Sequence, residues 1–418
     1  MSNPIATIVV GLISVVWVEL IRDFYHALSH HWKPLYRLHV WHHRVFRPDL
    51  SAVSTTIYKQ AHWYNDVPES LVMLVFSFLP WLTVHLCFPQ HQGLGWAGSV
   101  YTLSFLLSAI ARGTGLAYAD ELTDLTHRSG PFNAAPSHWF VNRSYHWRHH
   151  FDNQKAYYSG TLTLVDKLMG TALCLKGKKV AITGASGTLG KALIRELREK
   201  EAKVTALTSQ GNTVTLYEND QHCPIKTLNW QVGKETELAA ALEEIDILIL
   251  NHGVNVGGER TADAIAKSYE INTFSSWRLL ELFLTTVRSN EDIAKKEVWV
   301  NTSEAEVNPA FSPLYELTKR ALGDLVSLRR LDAPCTIRKL ILGPFKSNLN
   351  PVGVMSADKV AKQIVNLAQR DFLNIIVTIN PLTWLAFPCK ELAVSTYFNL
   401  FSKKRKEVLD TLPEVISG

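Results

Sequence analysis

Cysteine is scarce and unpatterned in this 418-residue chain: Cys87, Cys174, Cys223, Cys335 and Cys389 form no CxxC pair and no regular spacing. That usage excludes a disulfide framework and suits a reducing compartment. No haem or iron–sulfur motif is present, so a redox centre here would draw electrons from elsewhere. Charge of one sign is not in excess either. The net charge is +5, and the one basic cluster is Lys403, Lys404, Arg405 and Lys406 in the tail, which leaves no footprint for nucleic acid. The first apolar run has no basic segment before it and no small-residue cleavage site after it, so it reads as an anchor and not as a signal peptide.

What is present begins with that run. Residues 4–21, PIATIVVGLISVVWVELI, are long enough to cross a bilayer core as a helix. Two more apolar stretches, 71–88 and 94–118, are joined by FPQHQGLG, which has neither Lys nor Arg and suits a helical hairpin. Arg22, Lys33, Arg37, Arg44 and Arg47 follow the first stretch, and Arg112, Arg128, Arg143 and Arg148 close or follow the third. The positive-inside rule then predicts an integral membrane protein whose functional sites face the cytoplasm. Beyond Glu19, His85 and Arg112 the stretches hold almost no ionisable residue, which argues against a transporter.

Histidine is concentrated where charge is not: 14 of 16 lie in the first 150 residues. His26 and His30 are four apart, and His39, His42 and His43 form HxxHH, spacings that share one helical face. A second HxxHH, His146, His149 and His150, follows with His127 upstream. Nine imidazoles exceed the ligand demand of one ion, so two transition-metal ions are expected. No glutamate in this half has a histidine three residues on, unlike the Glu-x-x-His pairs of soluble di-iron bundles. His31 and His138 fit outer positions, and His62, His85 and His91 fit interfacial ones.

HALSHH, LYRLHVWHH, THRSG and HWRHHFDNQKAYYSGTLTLVDKLMGT resemble the fatty acid hydroxylase and sterol desaturase superfamily over roughly residues 15–172. The resemblance implies a di-iron centre held by His26, His30, His39, His42, His43, His127, His146, His149 and His150. It also implies O2-dependent oxidation of a lipid in the membrane, fed by an external ferredoxin- or cytochrome-type donor.

After residue 175 the pattern changes. KVAIT, a short buried-strand run, is followed by Gly184, Gly187 and Gly190 in GxxGxxG opening an amphipathic helix, where backbone amides and a helix N-terminus suit a pyrophosphate. Further strand patterns at 203–208, 226–229, 246–250, 298–301, 336–342 and 374–379 alternate with helical ones, predicting a doubly wound parallel sheet. Asn251 and Gly253 follow one strand, at the sheet's carboxyl edge. Tyr315 and Lys319 in YELTK are four apart, and on one helical face the ammonium lowers the phenol's pKa for proton exchange with a carbonyl or alcohol.

TGASGTLG, NHGV, INTF and YELTK together resemble the short-chain dehydrogenase/reductase family over about residues 177–380. The resemblance implies cofactor contacts from Gly184, Gly187, Gly190, Asn251 and Gly253, and catalysis by Asn272, Ser303, Tyr315 and Lys319. Two departures stand out: Thr188 replaces a usual glycine, and Glu304 occupies the more usual serine position beside Ser303. At the end of the second strand Thr208 and Ser209 replace an acidic residue, which favours NADP(H) over NAD(H).

The expected architecture is an all-α membrane domain with transmembrane helices and a histidine-rich metal site (1–175), an α/β doubly wound Rossmann domain (176–380) and an amphipathic basic tail (381–418). The expected function is a bifunctional lipid oxidoreductase, iron-dependent hydroxylation or desaturation coupled to carbonyl–alcohol interconversion. The alternative is a lipid oxidase whose second half only binds or scaffolds. Because residues 151–178 alone join the two halves, the second site is expected near the mouth of the first.

Overall fold

The computed structural model describes residues 4–89, 94–211, 213–218 and 221–403. Its first half is helical. The Pro4–His31 helix runs past the expected apolar stretch, so His26 and His30 ride on its last turns. The Lys33–Arg44 helix carries His39, His42 and His43. A helix from Thr55 passes through a π-turn at His62–Asp66 into Val67–Cys87. The third expected span is a shorter helix, Ala97–Thr114, stopped by Gly115 in the left-handed region at φ 79°.

Small residues let these helices touch. Ser14 accepts from the Gly98 amide at 3.0 Å, and a Cβ on Gly98 would lie 2.6 Å from the Ser14 carbonyl oxygen, so the missing side chain is what lets the two helix backbones approach this closely. Ile5, Ile8, Leu12, Val75 and Leu86 point outward, exposed. Among the described residues, two helices are long and apolar enough to cross a membrane, Pro4–His31 and Thr55–Cys87; Ala97–Thr114 is not a third.

The second half is a parallel sheet. Its strands are β1 (Lys179–Thr183), β2 (Lys203–Thr208), β5 (Lys226–Asn229), β6 (Ile247–Leu250), β7 (Glu297–Asn301), β8 (Thr336–Leu342) and β9 (Asn374–Val377), in the order β5-β2-β1-β6-β7-β8-β9. Between β2 and β5, β3 (Thr215–Glu218) and β4 (Gln221–Pro224) pair as a separate antiparallel ribbon, too short for its alternation to show in the sequence. Successive side chains feed opposite cores. Val180 and Ile182 pack under the helices Thr188–Glu199 and Ala357–Gln369, while Ala181 faces Ser276–Leu284 and Pro313–Arg330. The tail is not a separate piece: its Pro381–Phe401 helix seals the sheet with Phe387 against Ile341 and Ile376. Lys404, Arg405 and Lys406 of the basic cluster lie outside the described residues.

The halves meet along the amino-terminal edge of this sheet. Arg148, within the second HxxHH, is fully buried and pairs with Glu297, the first residue of β7, at 3.1 Å. Arg338 of β8 binds the same carboxylate at 2.8 Å and Asp371 at 2.8 Å. Asp371 also holds His138 at 2.8 Å, and Lys178 pairs with Asp152 at 2.9 Å. Burial alone would raise the Glu297 pKa, but Arg338 and then Arg148 outweigh it and hold it at about 2.

A folded-state pKa below the unfolded value contributes stability at neutral pH and loses it on acidification. Thermal stability is therefore expected to fall as pH drops from about 4.5 towards about 2. Glu297→Gln should flatten that limb and, by leaving the buried Arg148 guanidinium without a carboxylate and Arg338 with Asp371 alone, cost about 3–5 kcal/mol at neutral pH, read as a lowered Tm in detergent.

Candidate functional site

Two sites emerge, one at each edge of the sheet. At the amino-terminal edge the nine expected histidines converge in two sets, His26, His30, His39, His43 and His149 in one and His42, His127, His146 and His150 in the other, the ligand atoms of each lying within 4.8 Å of one another. In the first set His26 and His149 approach Nε2 to Nε2 at 2.9 Å and His39 and His43 at 3.0 Å. In the second, His146 and His127 approach at 2.8 Å. His31, His62 and His138 stand outside both sets, in contact with Tyr158, Asp66 and Asp371.

The outer ring nitrogens explain the inward aim. His26 Nδ1 donates to the Tyr158 carbonyl at 2.7 Å, His149 Nδ1 to the Ala156 carbonyl at 2.8 Å, His39 Nδ1 to Asn65 at 2.9 Å and His127 Nδ1 to Asp124 at 2.6 Å. An acceptor-only partner fixes the proton on Nδ1 and leaves the Nε2 lone pair facing the centre, the arrangement that orients metal-ligating histidines. Burial drives His146, His149 and His150 well below the ordinary histidine pKa, so they are neutral. Neutral lone pairs crowded at about 3 Å repel one another, and a cation at each centre would turn the repulsion into ligation. Asp124 was legible three residues before His127; Asn65 carried no signal.

At the carboxyl edge a cavity of 1280 Å³ gathers the second set of expected residues. Gly184 turns after β1 at φ 62°, with His252 and Asn251 so close that a Cβ would sit 3.0 Å from the His252 Cα. Gly187 caps the next helix and faces the cavity; Thr188 is that helix's first residue. Gly190 lies behind, where a Cβ would run into the Gly184 carbonyl. Asn251 accepts from Asn301 at 2.9 Å, and the Asn301 carbonyl in turn accepts from Lys319 Nζ at 2.8 Å.

Tyr315 and Lys319 line the cavity together, from the Pro313–Arg330 helix. Burial raises the Tyr315 pKa, and a hydrogen bond with Ser303 opposes it. Burial lowers Lys319 to about 8 against the pull of Glu306. Ser303 is thus the residue at the phenol. Glu304 is occupied elsewhere, accepting from Thr378 at 2.6 Å and Thr383 at 3.0 Å, which pins the last helix to the sheet. Asn272 sits behind Gly253, its amide bonded both ways to the Val254 backbone and to Thr318 at 3.0 Å. Asn301 and Thr318 therefore belong to this machinery, and neither stood out in the sequence.

The two sites do not share a mouth, contrary to the expectation from the short link. They are separated by at least the length of a strand, about 17 Å for five residues. The link is spent reaching the amino-terminal edge, where Leu173 donates to the Gln369 carbonyl at 3.2 Å.

A family model described as the NAD dependent epimerase/dehydratase family matches residues 180–310. Its span lies in the second half, and it does not show the hydroxylase and desaturase family expected for the first. The fold is similar to a short chain dehydrogenase from Burkholderia cenocepacia J2315 in complex with NADP, at 14% identity, 55% of this chain, 100% of that chain and a TM-score of 0.45. It is similar also to the ligand-free aldohexose dehydrogenase of Thermoplasma acidophilum, at 14% identity, 49% of this chain, 93% of that chain and a TM-score of 0.39. A relative from Synechocystis sp. (strain ATCC 27184 / PCC 6803 / Kazusa), a monoglucosyldiacylglycerol epimerase, is 63% identical over 402 residues, covering 94% of this chain and 97% of its own. The chain is an enzyme of the dehydrogenase and epimerase type. With that identity running through both halves, it belongs to the family of the monoglucosyldiacylglycerol epimerase.

Proposed function

We propose that this enzyme inverts one carbinol carbon in the sugar headgroup of a monoglucosyl diacylglycerol lipid, by oxidation and re-reduction within the carboxyl-edge cavity. The observation that carries this reading is the meeting of Tyr315, Lys319 and Ser303 with the glycine turn in one cavity. The name of the 63% identical relative supports the substrate.

The glycine turn suits a dinucleotide: Gly184 and Gly187 leave the backbone bare at a helix N-terminus, where a pyrophosphate is favoured. Thr208, Ser209 and Gln210 line the cavity at the end of β2 with no carboxylate among them, which favours NADP(H). A dinucleotide held there by the Gly184–Gly187 turn would supply a hydride acceptor and donor for the carbinol carbon, with no net reductant consumed. Tyr315 takes the hydroxyl proton as that carbon becomes a ketone and returns it when the carbon is reduced on the opposite face. Ser303, bonded to the phenol, is placed to hold the same oxygen and is the group that eases the phenol's ionisation against burial, while Lys319 Nζ stands 5.8 Å from the Tyr315 ring centroid, held by the Asn301 carbonyl. Asn301 and Asn272 keep Lys319 and the Gly253 loop in position.

The histidine centre supports a second reading, carried by the four Nδ1 donors that aim Nε2 atoms inward. Two iron ions held there would supply O2-dependent hydroxylation or desaturation of a lipid, with electrons from a ferredoxin- or cytochrome-type donor. In this reading Pro4–His31 and Thr55–Cys87 anchor the chain in the membrane with both sites on the cytoplasmic side.

Purified enzyme given a glucosyl lipid should yield its epimer. Tyr315→Phe should lower the rate by roughly a hundredfold or more while leaving NADPH binding and Tm intact; wild-type rates in this variant would remove the phenol from the reaction. Gly187→Val, which adds bulk facing the cavity and presses on the Gly184 carbonyl oxygen 3.2 Å from its Cβ, should abolish dinucleotide binding, with Tm read alongside to separate loss of binding from loss of fold, and titration of the parent should show NADPH binding at least as well as NADH. Metal analysis should find about two irons per chain, with His42→Ala and His149→Ala each losing metal while the second half still binds nucleotide. Zinc alone in the parent would argue against an oxidase.

A further inference from the structure

The mouth of the carboxyl-edge cavity is apolar to an extent water does not favour. Phe311, on the loop leading into the Tyr315 helix, is 97% exposed; Val352 is 86% exposed, and Val354, Ile379 and Leu382 are each 65% exposed. All five line the cavity. Scattered single apolar residues on a surface need no explanation, but a contiguous set around a functional opening marks a binding surface. Phe311 is held at φ 56°, the left-handed region that a bulky side chain rarely adopts and that concentrates at functional sites. The chain thus holds a ring out over the opening at a cost in both backbone and solvation.

The charge of the lining narrows what fits. Lys319 and Glu304 are its only Lys, Arg, Asp or Glu residues among the described ones. Lys319 is committed to the Asn301 carbonyl, and Glu304 to Thr378 and Thr383. Among the described lining residues no further Lys or Arg is left for a second phosphate-bearing ligand, so a sugar carried on a nucleoside diphosphate would find no cationic side chain in the lining to pair with its charge. A neutral sugar on an apolar carrier meets both conditions. The first turn of the last helix extends the apolar surface through Leu382 and Leu385, the latter also exposed.

We propose that Phe311, Val352 and Leu382, with their apolar neighbours at this mouth, form the contact site for the glycerol and acyl-chain part of the substrate lipid, admitting its uncharged headgroup to Tyr315 and excluding nucleotide-linked sugars. This rests on the epimerase reading for the headgroup, but the contact with lipid is separable from the reaction. The side chains act by removing apolar surface from water, so their loss weakens capture of the lipid and not the chemistry on the sugar.

The test uses the full-length enzyme with the substitutions Phe311→Asn, Val352→Ser and Leu382→Ser combined, since Asn tolerates the left-handed backbone. On long-chain glucosyl diacylglycerol in phosphatidylcholine vesicles, kcat/KM is expected to fall roughly tenfold or more. On water-soluble glucosylglycerol, which has the headgroup without the chains, it should be unchanged, with NADPH binding retained. Unchanged turnover of the lipid would overturn the proposal, as would an equal fall on both substrates. A second readout needs no turnover: benzoylphenylalanine at position 311, irradiated in the same vesicles, should cross-link to the glucosyl lipid. An adduct in an enzyme that epimerises neither substrate would leave the lipid contact standing and sink the epimerase reading; absence of a lipid adduct would sink the contact site itself.

Discussion

A buried carboxylate holds the molecule together. Glu297 opens β7 at the amino-terminal edge of the sheet and takes a guanidinium from each side, Arg338 from the neighbouring strand and Arg148 from the helical half. Charges this deep are stable only as a satisfied set, and Asp371 and the Trp299 indole, which donates to Glu297 at 3.0 Å, complete it. Because Arg148 lies between His146 and His149, the same pair that docks the halves also fixes one wall of the histidine centre. Geometry then follows. The helical half is committed to the amino edge, which leaves the carboxyl edge, where doubly wound sheets bind their ligands, free for a separate cavity.

This separation has a chemical consequence. The histidine centre and the Tyr315 cavity lie on opposite edges of one sheet, so an intermediate does not pass directly between them. The proposed epimerisation by hydride removal and return needs no oxygen and no external electrons, and would close within the Tyr315 cavity. The histidine centre, built on the helical half, stands as its own site, tied to the other through the sheet and the Glu297 cluster.

Legibility in the sequence followed the range of the interaction. HxxxH and HxxHH place imidazoles on one helical face through local periodicity, and all nine expected histidines meet. Their division into five and four was not legible, because His42 and His43 are adjacent yet face different sets. The glycine turn and YELTK could be read because their chemistry is contained within a few residues. The choice between Ser303 and Glu304 needed Thr378 and Thr383, more than seventy residues away, to show which side chain was free to meet Tyr315. The docking of the halves depends on Arg148, which in the sequence counted only toward the positive-inside asymmetry, and on Glu297, which carried no signal until the fold buried it. The third expected span failed for a local reason: Ala97–Thr114 is 18 residues long, but its serines, threonines and glycines and Arg112 leave it less apolar than the other two helices.

Fate of one hydrogen tests the central claim. Glucosyl lipid deuterated at the carbon that inverts, incubated with the enzyme in ordinary water, should yield an epimer that keeps its deuterium on that carbon, with no oxygen consumed and no net change in nicotinamide absorbance. Replacement of that deuterium by solvent hydrogen would contradict a closed hydride cycle at Tyr315 and call for a different mechanism of inversion.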